Sequence, residues 1–255
     1  MNYGLQISSS GALTGMYRQD VLTNNLANLN TVGYKPTIPS VKARDPVRAE
    51  DGLAHLPSSD LLERLGAGVV PGPQRISFTQ GPIQPTGNPL DLAVQGDGFF
   101  VVRGDNAQPA LTRDGRFTLN DEGTLVMAAT GHQVLDDRGG SIRLGEGGPV
   151  EVRGDGAIVR DGRTIANLQI ADPEDRTALI KLGEGLFGPT PGTDMRLDDA
   201  TGAVVQGAVE GSGVNEIRAL MTVQAAARTA QSNLGMITYH DRLMDAAINR
   251  LGRSN

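Results

Sequence analysis

Glycine and proline punctuate the interior of this chain so densely that no long helix can survive between its two ends. From about residue 2 to residue 30, and again from about 214 to 251, the apolar spacing is instead helical. Everything between reads as short strands and turns. Two helical ends around a β interior imply that the termini belong together, with the β region carried between them as an insertion. Such an organisation points toward assembly and away from catalysis.

With 255 residues the chain can bury a substantial core in one or two domains. Aromatic residues are only 4% and tryptophan is absent, which disfavours an aromatic-walled pocket and a small-molecule substrate. The net charge of −6 comes from interspersed acids and bases without a Lys/Arg block, so nucleic acid is not an expected partner. Lack of cysteine removes thiol catalysis, disulfides and thiolate metal sites. Met1 to Gln6 carry neither the basic nor the apolar stretch of a Sec-type signal peptide. The best apolar run, 219–227, is too short to span a bilayer and is flanked by Arg218 and Arg228, so membrane insertion is not expected.

The C-terminal segment has the cleanest period. Leu220, Val223, Ala227, Ala230, Leu234 and Ile237 follow 3-4 spacing, Asp241 interrupts it, and Met244, Ile248 and Leu251 resume it. The small Ala227 and Ala230 would let a partner helix approach closely. Ser212 or Asn215 can cap the start, and Glu216 suits the positive end of the helix dipole. The N-terminal helix is amphipathic through Leu5, Ala12, Leu13, Met16, Leu22, Leu26 and Leu29, and Thr31-Val32-Gly33 followed by Pro36 ends it. Gly11 and Gly15 each weaken it by roughly 1 kcal/mol relative to alanine. Helices of this kind are marginal alone in water, so both stripes are expected to be satisfied by other copies and not within one molecule. Asn24, Asn25, Asn28 and Asn30 read either as a solvated face or as amides bonding to neighbouring subunits or to the following loop.

Between the helices, 36–85 reads as an extended connector with a strand near 74–79 and a short helix near 60–65. The central stretch, 86–211, alternates strands with turns. Strands are expected at 90–95, 99–102, 116–119, 124–127, 133–135, 141–144, 150–152, 157–160 and 165–170. Asp114-Gly115, Glu122-Gly123, Asp155-Gly156 and Asp161-Gly162 are the hairpin signals. The expected fold is mainly β with terminal α-helices: a coiled-coil-like core of segments 1–35 and 212–255, and an inserted antiparallel sandwich or barrel-like domain.

No enzyme chemistry stands out. The recurrent aspartates sit at turns, where they are ordinary. His55, His132 and His240 lack metal-ligand spacing, and no cofactor or metal is expected. Neither a nucleophile elbow nor a phosphate loop is present. Two Arg-Gly-Asp tripeptides, at 103–105 and 153–155, read as turns.

Several stretches carry a family likeness. Asn24-Asn25-Leu26-Ala27-Asn28 with Thr31, Gly33, Tyr34 and Lys35 resembles the N-terminal signature of the bacterial flagellar rod and hook proteins. The run from Thr86-Gly87-Asn88-Pro89-Leu90-Asp91 to Gly96-Asp97-Gly98-Phe99-Phe100 resembles the central motif, continued by Thr112-Arg113-Asp114-Gly115, Phe117 and Gly123-x-Leu125-Val126. Gln206-Gly207-Ala208-Val209-Glu210-Gly211-Ser212, Val214 and Asn215 resemble the motif before the last helix, with Gly213 replacing the usual asparagine. The resemblance implies a structural, non-enzymatic subunit of the periplasmic rod. Such subunits polymerise through their terminal helices with copies of themselves and with other rod and hook subunits. It also implies passage through the flagellar type III export machinery without a cleaved signal. The short interval between the first two motifs favours a rod subunit over the larger hook protein. Of the two long-tailed rod types, proximal and distal, the proximal is the one expected. The residues it places at subunit interfaces are Leu13, Met16, Leu22, Asn24, Asn25, Leu26, Asn28, Leu29, Leu220, Val223, Ala227, Ala230, Leu234, Ile237, Met244, Ile248 and Leu251. A competing reading is a self-contained adhesin-like β module whose helices form an intramolecular hairpin. A third is a wall hydrolase.

Overall fold

The computed structural model describes residues 3–50, 52–55, 57, 66–105, 108–145 and 147–251. The chain divides into two compact units. One comprises Met1–Ala27, Thr37–Arg75 and Glu216–Asn255; the other comprises Asn28–Pro36 and Ile76–Asn215.

The first unit is built on two helices, α1 (Tyr3–Ala27) and α3 (Glu216–Leu251). Their 25 and 36 residues correspond to lengths of about 38 and 54 Å. A one-turn helix, α2 (Val47–Glu50), and the strands β1 (Thr37–Ile38), β2 (Val41–Ala43) and β3 (Val69–Pro71) accompany them. β2 and β3 pair antiparallel, Val41 opposite Pro71. Ser10 fastens α1 to β3, its hydroxyl accepting from the Val69 amide at 3.2 Å. The helix expected near 60–65 lies outside the described residues.

The helices pack against each other antiparallel. A Cβ placed on Gly4, Gly11 or Gly15 would meet His240, Asn233 or Ala230 respectively, so one number falls as the other rises. This corrects the expectation that the stripes find no partner within the molecule: the intramolecular hairpin forms. Small residues make it possible, because a side chain at Gly15 would come within 3.1 Å of Ala230 Cα.

The second unit is antiparallel β throughout its pairings. After β4 (Arg75–Ile76), which straddles the division, come β5 (Ile83–Pro85), β6 (Leu92–Gln95), β7 (Phe99–Arg103), β8 (Pro109–Thr112), β9 (Phe117–Leu119) and β10 (Leu125–Met127). They are followed by β11 (Glu151–Val152), β12 (Ala157–Arg160), β13 (Arg163–Asn167), β14 (Ile170–Pro173), β15 (Leu179–Gly183), β16 (Leu186–Pro189), β17 (Leu197–Asp199), β18 (Ala203–Gln206) and β19 (Ala208–Glu210). Six strands form one open sheet in the order β15-β16-β8-β7-β14-β17. A three-stranded sheet, β11-β12-β13, and the pairs β9/β10, β6/β18 and β5/β19 accompany it, and no barrel closes among the described residues.

β7 is central because its run Phe99-Phe100-Val101-Val102 is buried on both faces. Phe99 and Val101 join Leu111 and Phe187 on one side; Phe100 and Val102 join Leu92, Phe117 and Leu125 on the other. All five phenylalanines of the chain take part. Phe78, Phe99 and Phe187 form an edge-to-face triangle with centroids 5.4–5.9 Å apart, and Phe100 meets Phe117 at 5.2 Å.

The hairpin signals divide. Asp161 and Gly162 both take positive φ between β12 and β13, as a type I′ turn requires. Asp114-Gly115 is no hairpin: β8 pairs with β7 and β16, whereas β9 pairs with β10. Gly115 is there for close approach, since a Cβ would lie 1.6 Å from the Leu92 carbonyl oxygen. The segments near 133–135 and 141–144 make isolated bridges, not strands, and the run 165–170 is split between β13 and β14 in different sheets.

Candidate functional site

Two features stand out, one in each unit: an exposed apolar surface on the helices and a buried charge cluster among the strands.

On the helices, the residues turned inward are small. Ser8, Ala12, Thr14 and Gly15 of α1 and Ala219, Ala226 and Ala230 of α3 are buried, and only Val21 and Asn25 are larger. The inward stripe of α3 runs Ala219, Val223, Ala226, Ala230, Asn233, Ile237 and His240, all buried or half-buried. It shares Val223, Ala230 and Ile237 with the stripe read from sequence, but takes the neighbours of Leu220, Ala227 and Leu234. Ala230 seated on Gly15 brings the helices close, and Leu220 and Leu234 are left exposed.

The outward residues are large. Leu13 is 65% exposed, Met16 42%, Ile217 71%, Met221 67% and Ile248 64%, while Leu220, Leu234 and Met244 are exposed as well. Leu22, Leu26, Val223, Ala227 and Ile237 are half-buried. The side chain of Leu251 lies outside those described. Gly4 lies opposite His240, so α3 continues beyond the first described residue of α1, and every residue from 241 to 249 is exposed.

The asparagines split by role. Asn25 is buried and braces the following loop: its amide donates to the Thr37 carbonyl at 2.7 Å and its Oδ1 accepts from the Thr37 amide at 2.9 Å. Asn28 and Leu29, both half-buried, belong to the turn after α1, where Asn28 Oδ1 accepts from the Thr31 hydroxyl. Asn24 is exposed and lines a cavity of about 270 Å³ with Tyr17, Asp20, Val21, Thr37 and Gln74. The Tyr17 hydroxyl is buried there without a hydrogen-bond partner.

In the β unit, Lys35, Arg113 and Glu210 are buried together. Glu210 Oε1 accepts from Lys35 Nζ at 2.6 Å and from the Gly81 amide at 2.8 Å; Oε2 accepts from Arg113 Nη1 at 2.9 Å. Lys35 also donates to the Thr79 carbonyl at 3.0 Å, and Arg113 Nη2 to the Gly96 carbonyl at 2.8 Å. The Arg113 guanidinium stands 5.0 Å over the Phe99 ring. Burial pushes the Lys35 ammonium below the ordinary lysine range, opposed by the Glu210 carboxylate. Two cations share one anion, so the cluster is a specifying device more than a source of net stability.

The backbone around it is equally tight. The Gly33 amide donates to the Glu210 carbonyl at 2.7 Å, and the Gly213 amide to the Tyr34 carbonyl at 2.9 Å. Gly33 has φ of +67°, and a side chain there would strike the Arg113–Asp114 peptide at 2.4 Å. The three sequence motifs thus meet at one point, with Lys35 from the first, Arg113 from the second and Glu210 from the third. Sequence reasoning quoted each residue but did not bring them together.

Among the described residues no group of His, Asp and Glu could hold a metal, and no helix is long and apolar enough to cross a membrane.

The helix pair thus leaves large apolar side chains uncovered, and the β unit joins three separate sequence motifs through one buried charge cluster. Residues 5–35 match the family model described as flagella basal body rod protein, and residues 93–179 match that of the flagellar hook protein FlgE/F/G D1 domain. The flagellar basal-body rod protein FlgF of Caulobacter vibrioides is 33% identical over the whole of both chains, and that of Rhizobium meliloti 31%, also over the whole of both. The rod protein FlgG of Bacillus subtilis is 29% identical over 94% of this chain and 96% of its own. The chain belongs to the flagellar basal-body rod protein family, of the FlgF/FlgG type.

Proposed function

We propose that this chain is a structural subunit of the periplasmic rod, the drive shaft that passes torque to the hook, and that it polymerises through its terminal helices. The observation that carries this reading is the inverted helix pair: small residues within, Leu13, Met16, Leu220, Leu234, Met244 and Ile248 without. Covering a leucine or methionine side chain contributes about 1.5–3 kcal/mol, so several such residues left uncovered on the helices supply a strong drive to associate. The partners are other copies of the chain and related rod and hook subunits, reached after passage through the type III export machinery without a cleaved signal. Segments 1–35 and 212–255 form the assembling core domain in this reading, 36–85 the connector and 86–211 the domain it carries. The full-length likeness to FlgF at 33% and 31% favours the proximal rod type over the distal. No catalytic role, cofactor, nucleic acid or membrane insertion is part of the proposal.

The test is site-directed photo-cross-linking in purified basal bodies. A probe at Leu13, Met16, Leu234 or Ile248 is expected to capture rod subunits, and one at the exposed β13 residue Arg163 to capture few or none. Capture at Arg163 with none at the helix positions would overturn the reading.

A further inference from the structure

The chain passes between its two units at four points: after residues 27, 36, 75 and 215. On the β side, segment 28–36 borders two of these passages, segment 76–79 the third and segment 211–215 the fourth. Segment 28–36 is tied to both of the others and to the residue beside the last. Ser77 donates to the Pro36 carbonyl at 2.8 Å, Gly213 to the Tyr34 carbonyl at 2.9 Å, and Gly33 to the Glu210 carbonyl at 2.7 Å. Lys35 adds side-chain bonds to Thr79 and Glu210, and Gly81 donates to the same Glu210 carboxylate. Arg113 then fixes Glu210 to the body of the β unit through the carbonyls of Val94 and Gly96.

The geometry points to the Glu210 cluster as a force-bearing clasp, in which Lys35, Arg113 and Glu210 hold the segments beside all four chain passages together under load. Tension applied through the chain to either terminal helix reaches the β unit at these segments. Were they joined only by edge-strand bonds, the unit would peel open from its ends one bond at a time. A buried carboxylate gripped by two cations and an amide must instead lose several charge-assisted bonds together. Exclusion of water keeps them from being exchanged for hydration while the clasp is closed. The load itself belongs to the rod reading above; the clasp is a property of the single chain.

The chain lacks cysteine, so handles can be placed at will in the full-length protein. Optical-tweezers pulling between cysteines at the exposed positions Asn30 and Glu216 loads the cluster, and pulling between Glu122 and Arg163 does not. Lys35→Met removes one of two cations and leaves Glu210 paired with Arg113. It is expected to lower the rupture force for the 30/216 pair, read as a rupture rate at constant load raised about fivefold, since forced rupture follows the unfolding rate. The 122/163 force should hold, and the melting temperature should stay within about 4 °C. A merely structural role would move force and melting temperature together. Glu210→Gln is expected to weaken the 30/216 direction further; should that variant not fold, Lys35→Met decides alone. Unchanged 30/216 force in Lys35→Met, or an equal loss in both directions, overturns the clasp. A variant with weakened force that still assembles supports the clasp and leaves the rod reading intact. A full-force chain that never associates would strike the rod reading alone.

Discussion

The two units of this chain bury opposite kinds of residue. In the β unit, Phe99, Phe100, Phe117, Leu111 and Leu125 are wholly inside, and the buried Lys35, Arg113 and Glu210 pair with one another. Among the described residues of α1 and α3, none that is buried is larger than valine or asparagine, while Leu13, Met16, Leu220, Leu234, Met244 and Ile248 lie exposed. The β unit completes its core by folding. The helical unit forms a hairpin and leaves its large apolar side chains uncovered.

The contrast can be broken or sharpened by substitution. Phe100→Ala should cost about 3–5 kcal/mol in urea melts of the β unit, because the ring is wholly enclosed by Phe117 and its neighbours. Association through the helices should survive under conditions where the variant is folded. If association weakened in proportion to β stability, the two units would not be independent in this sense.

Gly15→Leu acts on the other side. The new side chain would collide with Ala230, and overpacking of this sort costs about 1–3 kcal/mol. Helical circular dichroism of the isolated chain should fall, with the β unit's own melting transition unmoved. A neutral result would mean that the hairpin is not held by its glycine–alanine seam.

A smaller effect is expected from Lys181, whose ammonium stands 4.0 Å over the Tyr34 ring and is pushed by burial down to about 8. The unfolded chain holds this proton to higher pH than the folded one, so burying the charge penalises the fold in neutral solution. The penalty fades as pH rises above the folded value. Lys181→Met should therefore stabilise the β unit near pH 7, with an advantage that shrinks toward about pH 9.5, below the range where Tyr34 ionises. An advantage that grew with pH would contradict the assigned direction.

Which parts could be read from the sequence follows from how local each signal is. Helix ends and the Asp161-Gly162 hairpin depend on a few adjacent residues and stood out. β8 did not, because Pro109-Ala110-Leu111-Thr112 is short, begins with proline and alternates weakly. The α3 seam was misplaced by one residue at alternate positions, since a hydrophobicity pattern ranks Leu220 and Leu234 above Ala219 and Asn233. Close packing ranks them the other way. The clasp was invisible because Lys35 and Glu210 are 175 positions apart, and no spacing rule spans that distance. A clue was available for two of its charges: Lys35 follows Val32-Gly33-Tyr34, and Glu210 lies between Ala208-Val209 and Gly211, apolar and glycine surroundings unusual for a solvated charge. Asn25 was half legible, as a bond to the following loop had been one of the options for it.

Assembly into a rod requires the outward leucines and methionines to be there for other subunits. Sedimentation velocity of the full chain over a range of concentrations, beside Leu13→Asp/Leu234→Asp, tests that most directly. Both positions are exposed, so the double variant should keep the isolated chain's stability within about 0.5 kcal/mol per site while losing association. A double variant that associates as the parent does, or one that unfolds as a monomer, would contradict it.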